Sequence, residues 1–240
     1  MWSCGLADII PKVMIALSFI TKIYVETAAF FLWLLSLLVN KTIKLEVYGD
    51  EVIDKIHKEG KPVIFAFWHN ASHPFFYYYR DRKAYIIPVN KIPGQVLASF
   101  ARKYNYLTEP LNIDGTPAER TETVIKLIRN LKKGHDVPLA VDGPPDEKLY
   151  DVKPGIFYIA SKSGAAIVPA GMYAKRGLTM WWRWDKYIIP LPFTKVVIVV
   201  DKPAFLPKKI NGEDVKKRCR ELGEEIHAMT KKAREICLKK

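Results

Sequence analysis

Cysteine is scarce in this chain: Cys4, Cys219 and Cys237 are the only three, with no CxxC pair and no Cys/His ligand spacing. Two could bridge only by leaving the third unpaired, so a disulfide framework is not expected, nor is a zinc site, and the usage fits a reducing compartment. Long Ser/Gly linkers, low-complexity tracts and internal repeats are also missing, and the 16 prolines are dispersed. Nothing therefore divides the 240 residues into several modules, and one α/β domain with an appendage is expected. Acidic residues are the minority, 25 against 38 Lys and Arg, for a formal net charge of +13. Such a surplus attracts nucleic acid, an acidic lipid surface or a phosphorylated substrate. No Walker A loop, zinc finger or RNP-like motif is present, so nucleic acid is not expected as a partner.

A long uninterrupted hydrophobic run is lacking too. Residues 13–39, VMIALSFITKIYVETAAFFLWLLSLLV, carry Lys22 and Glu26, and the longest uncharged run, Thr27 to Val39, has thirteen residues. A bilayer core needs about 20. Lys22 and Glu26 are four apart and would share a helix face, where they could pair. Asp8 and Pro11 stand where a secretory signal is basic, and no small-x-small cleavage site follows. The leading expectation is a membrane-dipping or interfacial helical hairpin, the second a spanning helix with its charged pair buried, the third a covered soluble helix. Either of the first two places the protein at a membrane.

From Ile43 the pattern changes to short strands alternating with helices. IKLEVYG alternates like a strand, DEVIDKIHKEG reads as a helix stopped by Gly60, and PVIFAFW is apolar enough for a central strand buried on both faces. Strands over 84–89, 106–113 and 136–143 alternate with helices over 93–104 and 117–133. A helix over 154–163, the strands AAIVPAGMYA and KVVIVVDKP, and a long amphipathic helix after 211 complete the chain. This alternation predicts an α/β fold with a mostly parallel central sheet flanked by helices, preceded by an N-terminal membrane-associated helical segment. The expected divisions are 1–40, hydrophobic helices; 41–210, the α/β domain; and 211–240, a basic amphipathic helix on the same domain.

Ligands in open α/β sheets collect at the carboxyl ends of strands. Three segments reach such ends: His69 after PVIFAFW, Asp114-Gly115-Thr116 after 106–113, and Asp142-Gly143-Pro144-Pro145 after 137–141. A lone histidine is more often structural than catalytic, and its position at a strand end is what makes His69 a candidate. Aromatic clusters FFYYY (75–79) and WWRW (181–184) suit either core packing or a lipid interface.

FWHN at 67–70, VDGPPD at 141–146 and AAIVPAG at 165–171, in that order, resemble the lysophospholipid acyltransferase superfamily of glycerolipid acyltransferases. The likeness is greatest to an uncharacterised bacterial branch and covers roughly residues 40 to 205. It implies acyl transfer from acyl-CoA or an acyl-carrier protein to a hydroxyl of a lysophospholipid, glycerol-phosphate or glycolipid, at the cytoplasmic face of the cell membrane. No metal and no bound cofactor are implied; membrane lipid and the thioester donor are the partners.

In the superfamily the first block is His-x4-Asp, and the resemblance makes His69 the general base. Pro74 stands where the aspartate belongs. Asp142, Asp114 and Asp146 are the carboxylates available to orient the imidazole, Asp142 first. By the same resemblance Asp114, Gly115, Arg120, Gly143, Pro144, Val168 and Pro169 would shape the substrate site. The rival reading is an inactive relative that keeps the fold as a lipid-binding or scaffold protein, having lost the acid.

Overall fold

The computed structural model describes the backbone of residues 4–143, 148–208 and 211–239, with side chains described from Leu17 onward. Helix α1 (Cys4–Thr42) is one continuous helix, not the hairpin expected. Residues 12–42 contain neither glycine nor proline, so nothing there makes a turn. Val25, Ala29, Ser36, Val39 and Asn40 are buried along one face of α1, while Leu17, Phe19, Ile20, Ile23, Phe30, Phe31, Leu35 and Leu38 stay exposed.

The body opens with β1 (Lys44–Tyr48), α2 (Glu51–Lys58) and β2 (Val63–Phe67). It continues through α3 (His73–Tyr78), β3 (Tyr85–Ile86), α4 (Ile92–Arg102), β4 (Leu107–Thr108), α5 (Pro117–Lys132) and β5 (Val137–Ala140). Then follow α6 (Gly155–Ser163), β6 (Ala166–Ala174), a hairpin of β7 (Gly177–Thr179) and β8 (Ile188–Pro190), β9 (Lys195–Val200) and α7 (Gly212–Leu238). The expected elements are present, with β3 and β4 shorter than their apolar runs; the β7–β8 hairpin was not anticipated.

Strand order is β1-β9-β6-β2-β5, with β6, β2 and β5 mutually parallel. β1 and β9 run parallel to each other but antiparallel to β6, so the sheet is mostly parallel with one reversed seam. A bridge between Ala84 and Asp136 adds the short β3–β4 pair beyond β5. This reversal has a geometric result: the carboxyl ends of β2, β5 and β6 share one edge with the start of β1, where α1 delivers the chain.

All five residues of β2 are buried, which explains the unbroken apolar run. Phe65 and Phe67 point to one side and pack with Phe75, Tyr79, Phe100 and Ala29. Ile64, Ala66 and Trp68 point to the other and pack with Leu127, Leu131, Ile156, Phe157 and Ile226. The FFYYY run is therefore core packing on α3: Phe75 and Tyr79 are buried and the three between them half-buried. Glu26 does not pair with Lys22; its carboxylate accepts a 2.7 Å hydrogen bond from Ser99 Oγ and lies 3.5 Å from Arg102, fastening α1 to α4.

Candidate active site

β2 brings Trp68 to its carboxyl end in extended conformation, and the chain turns at once into a single 3-10 turn, His69–Ala71. The His69 backbone N–H donates to Asp142 Oδ1 at 2.9 Å, and Asp142 Oδ2 accepts from the Tyr150 N–H at 3.3 Å. Asp142 is completely buried. Burial raises its pKa, and the backbone hydrogen bonds oppose that rise. Its carboxylate thus splices the end of β2 to the turn that follows β5.

The imidazole finds its acid elsewhere. His69 Nδ1 lies 2.7 Å from Asp185 Oδ2, in the loop between β7 and β8. Arg183 grips the same carboxylate twice, Nε to Oδ1 at 2.8 Å and its terminal nitrogen to Oδ2 at 2.9 Å. Burial alone would raise Asp185, but the hydrogen bonds from His69 and Arg183 outweigh it and hold the carboxyl well below the usual carboxylate range. An ionised Asp185 accepts the Nδ1 proton, which leaves Nε2 as the unprotonated nitrogen. The His69 side chain is 24% exposed, and Nε2 has no protein partner among the described residues. A buried acid orienting a half-exposed imidazole is the arrangement a general base needs.

Rings enclose this pair. Trp184 lies 5.2 Å and Tyr187 6.4 Å from the His69 ring, centroid to centroid, and Ser72 Oγ donates to the Tyr187 hydroxyl at 3.2 Å. On the far side Asn70 donates to the Tyr150 hydroxyl at 2.8 Å, and Trp68, Tyr150 and His227 of α7 form an aromatic triangle. Tyr150 and Lys186 both take left-handed backbone, at φ +64 and +49. Such strain in non-glycine residues costs of order 1–3 kcal/mol each and persists only where the surroundings fix it.

The expected orienting role of Asp142 is corrected by this geometry: it holds the backbone of His69, and Asp185 holds the ring. Gly143 follows Asp142 with φ +91, a turn that favours glycine. Asp114 is exposed and ion-paired with Lys91 at 3.3 Å, and an added Cβ on Gly115 would strike the Glu119 and Asn112 side chains. Glu119 completes a capping box with Thr116 at the start of α5, and Arg120 is exposed one residue on. That turn shares the sheet edge with His69 but stands three strand steps from β2, about 14 Å by strand spacing. It does not touch the His69 pair. Val168 and Pro169 are buried mid-sheet opposite Phe65 and Ala66, so they fill the core instead of lining a pocket. Pro144 and Asp146 lie outside the described residues.

Asp185 and Arg183 were missed at the level of sequence. A signal existed: Asp185 is the only Asp or Glu between Asp151 and Asp201, and it directly follows the aromatic run at 181–184. A second His–Asp contact, His57 Nε2 to Asp136 Oδ1 at 3.0 Å, sits at the opposite edge beside a cavity of about 280 Å³. There the acid also accepts the Val63 N–H, which ties it to the start of β2. Among the described residues no cluster of His, Cys, Asp or Glu could hold a metal ion.

These features define an α/β fold with a mostly parallel central sheet flanked by helices, and a solved structure shares that fold. The solved structure of the 1-acyl-sn-glycerophosphate (LPA) acyltransferase PlsC from Thermotoga maritima matches with a TM-score of 0.52 at 20% identity, over 93% of this chain and 82% of that one. An uncharacterized protein of Rickettsia prowazekii (strain Madrid E) is 29% identical over 169 residues, 68% of this chain and 74% of that protein. No protein-family model matches the chain.

Proposed function

We propose that the chain is a membrane-associated acyltransferase that moves an acyl group from a thioester to a hydroxyl of a glycerolipid-type acceptor. The observation that carries this reading is the partly exposed His69 imidazole, held at Nδ1 by the buried Asp185. His69 Nε2 takes the proton of the acceptor hydroxyl as that oxygen attacks the thioester carbonyl. The tetrahedral intermediate collapses, the C–S bond breaks, and the leaving thiolate recovers the proton from the imidazolium. A thioester is activated already, so a base, positioning and hydrogen-bond donors for the oxyanion suffice. The His69 N–H is committed to Asp142, so those donors come from other groups. The PlsC fold likeness supports the reaction class, and the absent His-x4-Asp acid, the motive for an inactive relative, is met by a carboxylate from another part of the chain.

The acyl donor is acyl-CoA or an acyl-carrier protein, and the acceptor a lysophospholipid, glycerol-phosphate or glycolipid. Residues Leu17–Thr42 are long and apolar enough to cross a membrane. Yet α1 is buried against the body at points from Val25 to Asn40, leaving one apolar face outward. A helix attached in this way suits lying in the interface, on the cytoplasmic side.

The test is to incubate purified protein in lipid vesicles with labelled acyl thioesters and a panel of these acceptors. Wild type should transfer label while His69→Ala falls to background and Asp185→Asn slows by about 10³-fold. Equal background from all three across the panel overturns the reading.

A further inference from the structure

The β7–β8 hairpin presents more than Asp185. Trp181 and Trp182 are 71% and 74% exposed, and Phe193 at the hairpin base is 77% exposed, with Leu178 and Leu191 also open. Five large apolar side chains displayed on one short segment mark a docking surface. Lys175, Arg176 and Lys186 stand among them, and none forms an ion pair among the described residues. Lys186 lies 5.9 Å above the Trp181 ring, and Arg176 donates to the Phe193 carbonyl.

Chemistry and continuity identify the occupant. Tryptophan beside unpaired Lys and Arg is the composition of a segment seated among lipid headgroups, where the ring is apolar, its N–H finds water and the cations meet phosphate. The hairpin also adjoins the carboxyl-terminal part of α1. The Phe193 N–H donates to Thr42 Oγ1 at 3.3 Å, and Ile188 packs in one cluster with Trp33 and Leu37 of α1. We propose that the hairpin, residues 177–193, is a second lipid-docking surface that seats Trp181 and Trp182 in an anionic bilayer beside His69. Asp185 follows the tryptophans within the same loop, so contact with the bilayer and orientation of the base share one short segment. Only this last consequence rests on the acyltransferase reading.

The test uses the full chain in phosphatidylglycerol vesicles whose acyl chains carry bromine, a short-range quencher of tryptophan emission. The emission lost, relative to unbrominated vesicles, should be clearly smaller in W181F/W182F than in wild type, because the two rings seated in the lipid are gone. Equal losses in the two proteins overturn the proposal and leave the exposed pair for a protein partner. Separately, K175Q/R176Q/K186Q should weaken binding to phosphatidylglycerol vesicles about tenfold or more and leave phosphatidylcholine binding unchanged. An unchanged affinity for both overturns the choice of an anionic surface. Neither readout depends on turnover, so an inactive protein and an undocked hairpin give different results.

Discussion

His69 and Asp185 are 116 positions apart in the chain and 2.7 Å apart in space, Nδ1 to Oδ2. The carboxylate is buried and doubly bound by Arg183, so it presents a fixed acceptor to the ring. Asp185→Asn keeps the shape but offers an amide N–H to Nδ1, which favours the tautomer with its proton on Nε2 and removes the base. The expected loss in kcat is about 10³-fold. Two groups that act as one unit are non-additive, so H69A/D185N should be no slower than His69→Ala alone. Steady-state rates of the three proteins check this, and a double variant slower by the product of the single effects would sink the coupling.

Asp142 carries a different load. Its two oxygens satisfy the backbone N–H groups of His69 and Tyr150 in a dry interior. Asp142→Ala leaves both donors without acceptors, and each costs about 1–3 kcal/mol. Chemical denaturation should show that loss of stability. Asp142→Asn keeps one acceptor for the His69 N–H, so it should retain much more stability than Asp142→Ala and more activity than Asp185→Asn. If Asp142→Asn stops turnover without loosening the fold, the acid does more than hold the backbone.

His73 supplies a pH dependence. Burial pushes its pKa down to about 4, and Nε2 has no hydrogen-bond partner among the described residues. The folded protein therefore keeps this ring neutral while the unfolded chain protonates it near its ordinary value of about 6.5. Its contribution to stability is complete above that pH and declines as pH falls toward about 4, where the folded state takes up the proton too. The loss across this window is about 3 kcal/mol. His73→Gln should flatten that part of the stability–pH curve, measured by unfolding at pH 6.5 and 4.5; an unchanged slope would show that other groups produce it.

The elements were legible where one periodicity governed them. β2 reads as buried because all its residues are apolar, and α7 reads as a helix because its apolar residues recur in steps of four and three. The position of His69 at the carboxyl end of β2 followed from the same pattern. The acid was not legible, because its approach to His69 depends on a hairpin inserted between β6 and β9, and local periodicity says nothing about which loop folds back over which strand. α1 fails in the opposite way: its charges suggested a break into two helices, but Glu26 finds its partners on α4 and needs no turn.

The contact of α7 with the sheet makes the last prediction. An added Cβ on Gly171 of β6 would stand 2.1 Å from the Thr230 backbone nitrogen and 2.5 Å from the Met229 carbonyl carbon. These are backbone atoms in the middle of a 27-residue helix, so no side chain can swing aside to relieve the overlap. Gly171→Ala must push α7 away from β6, and overpacking of this kind costs about 1–3 kcal/mol. His227 rides on α7 and touches both Trp68 and Tyr150, so the shift also reaches the residues flanking His69. Gly60 offers the control: it too is a glycine, with φ +71, but an added Cβ there meets nothing within 4 Å. Gly60→Ala should lower the melting temperature through backbone strain alone and leave turnover intact, whereas Gly171→Ala should lower both. Unchanged turnover in Gly171→Ala would mean that α7 can move without disturbing the site.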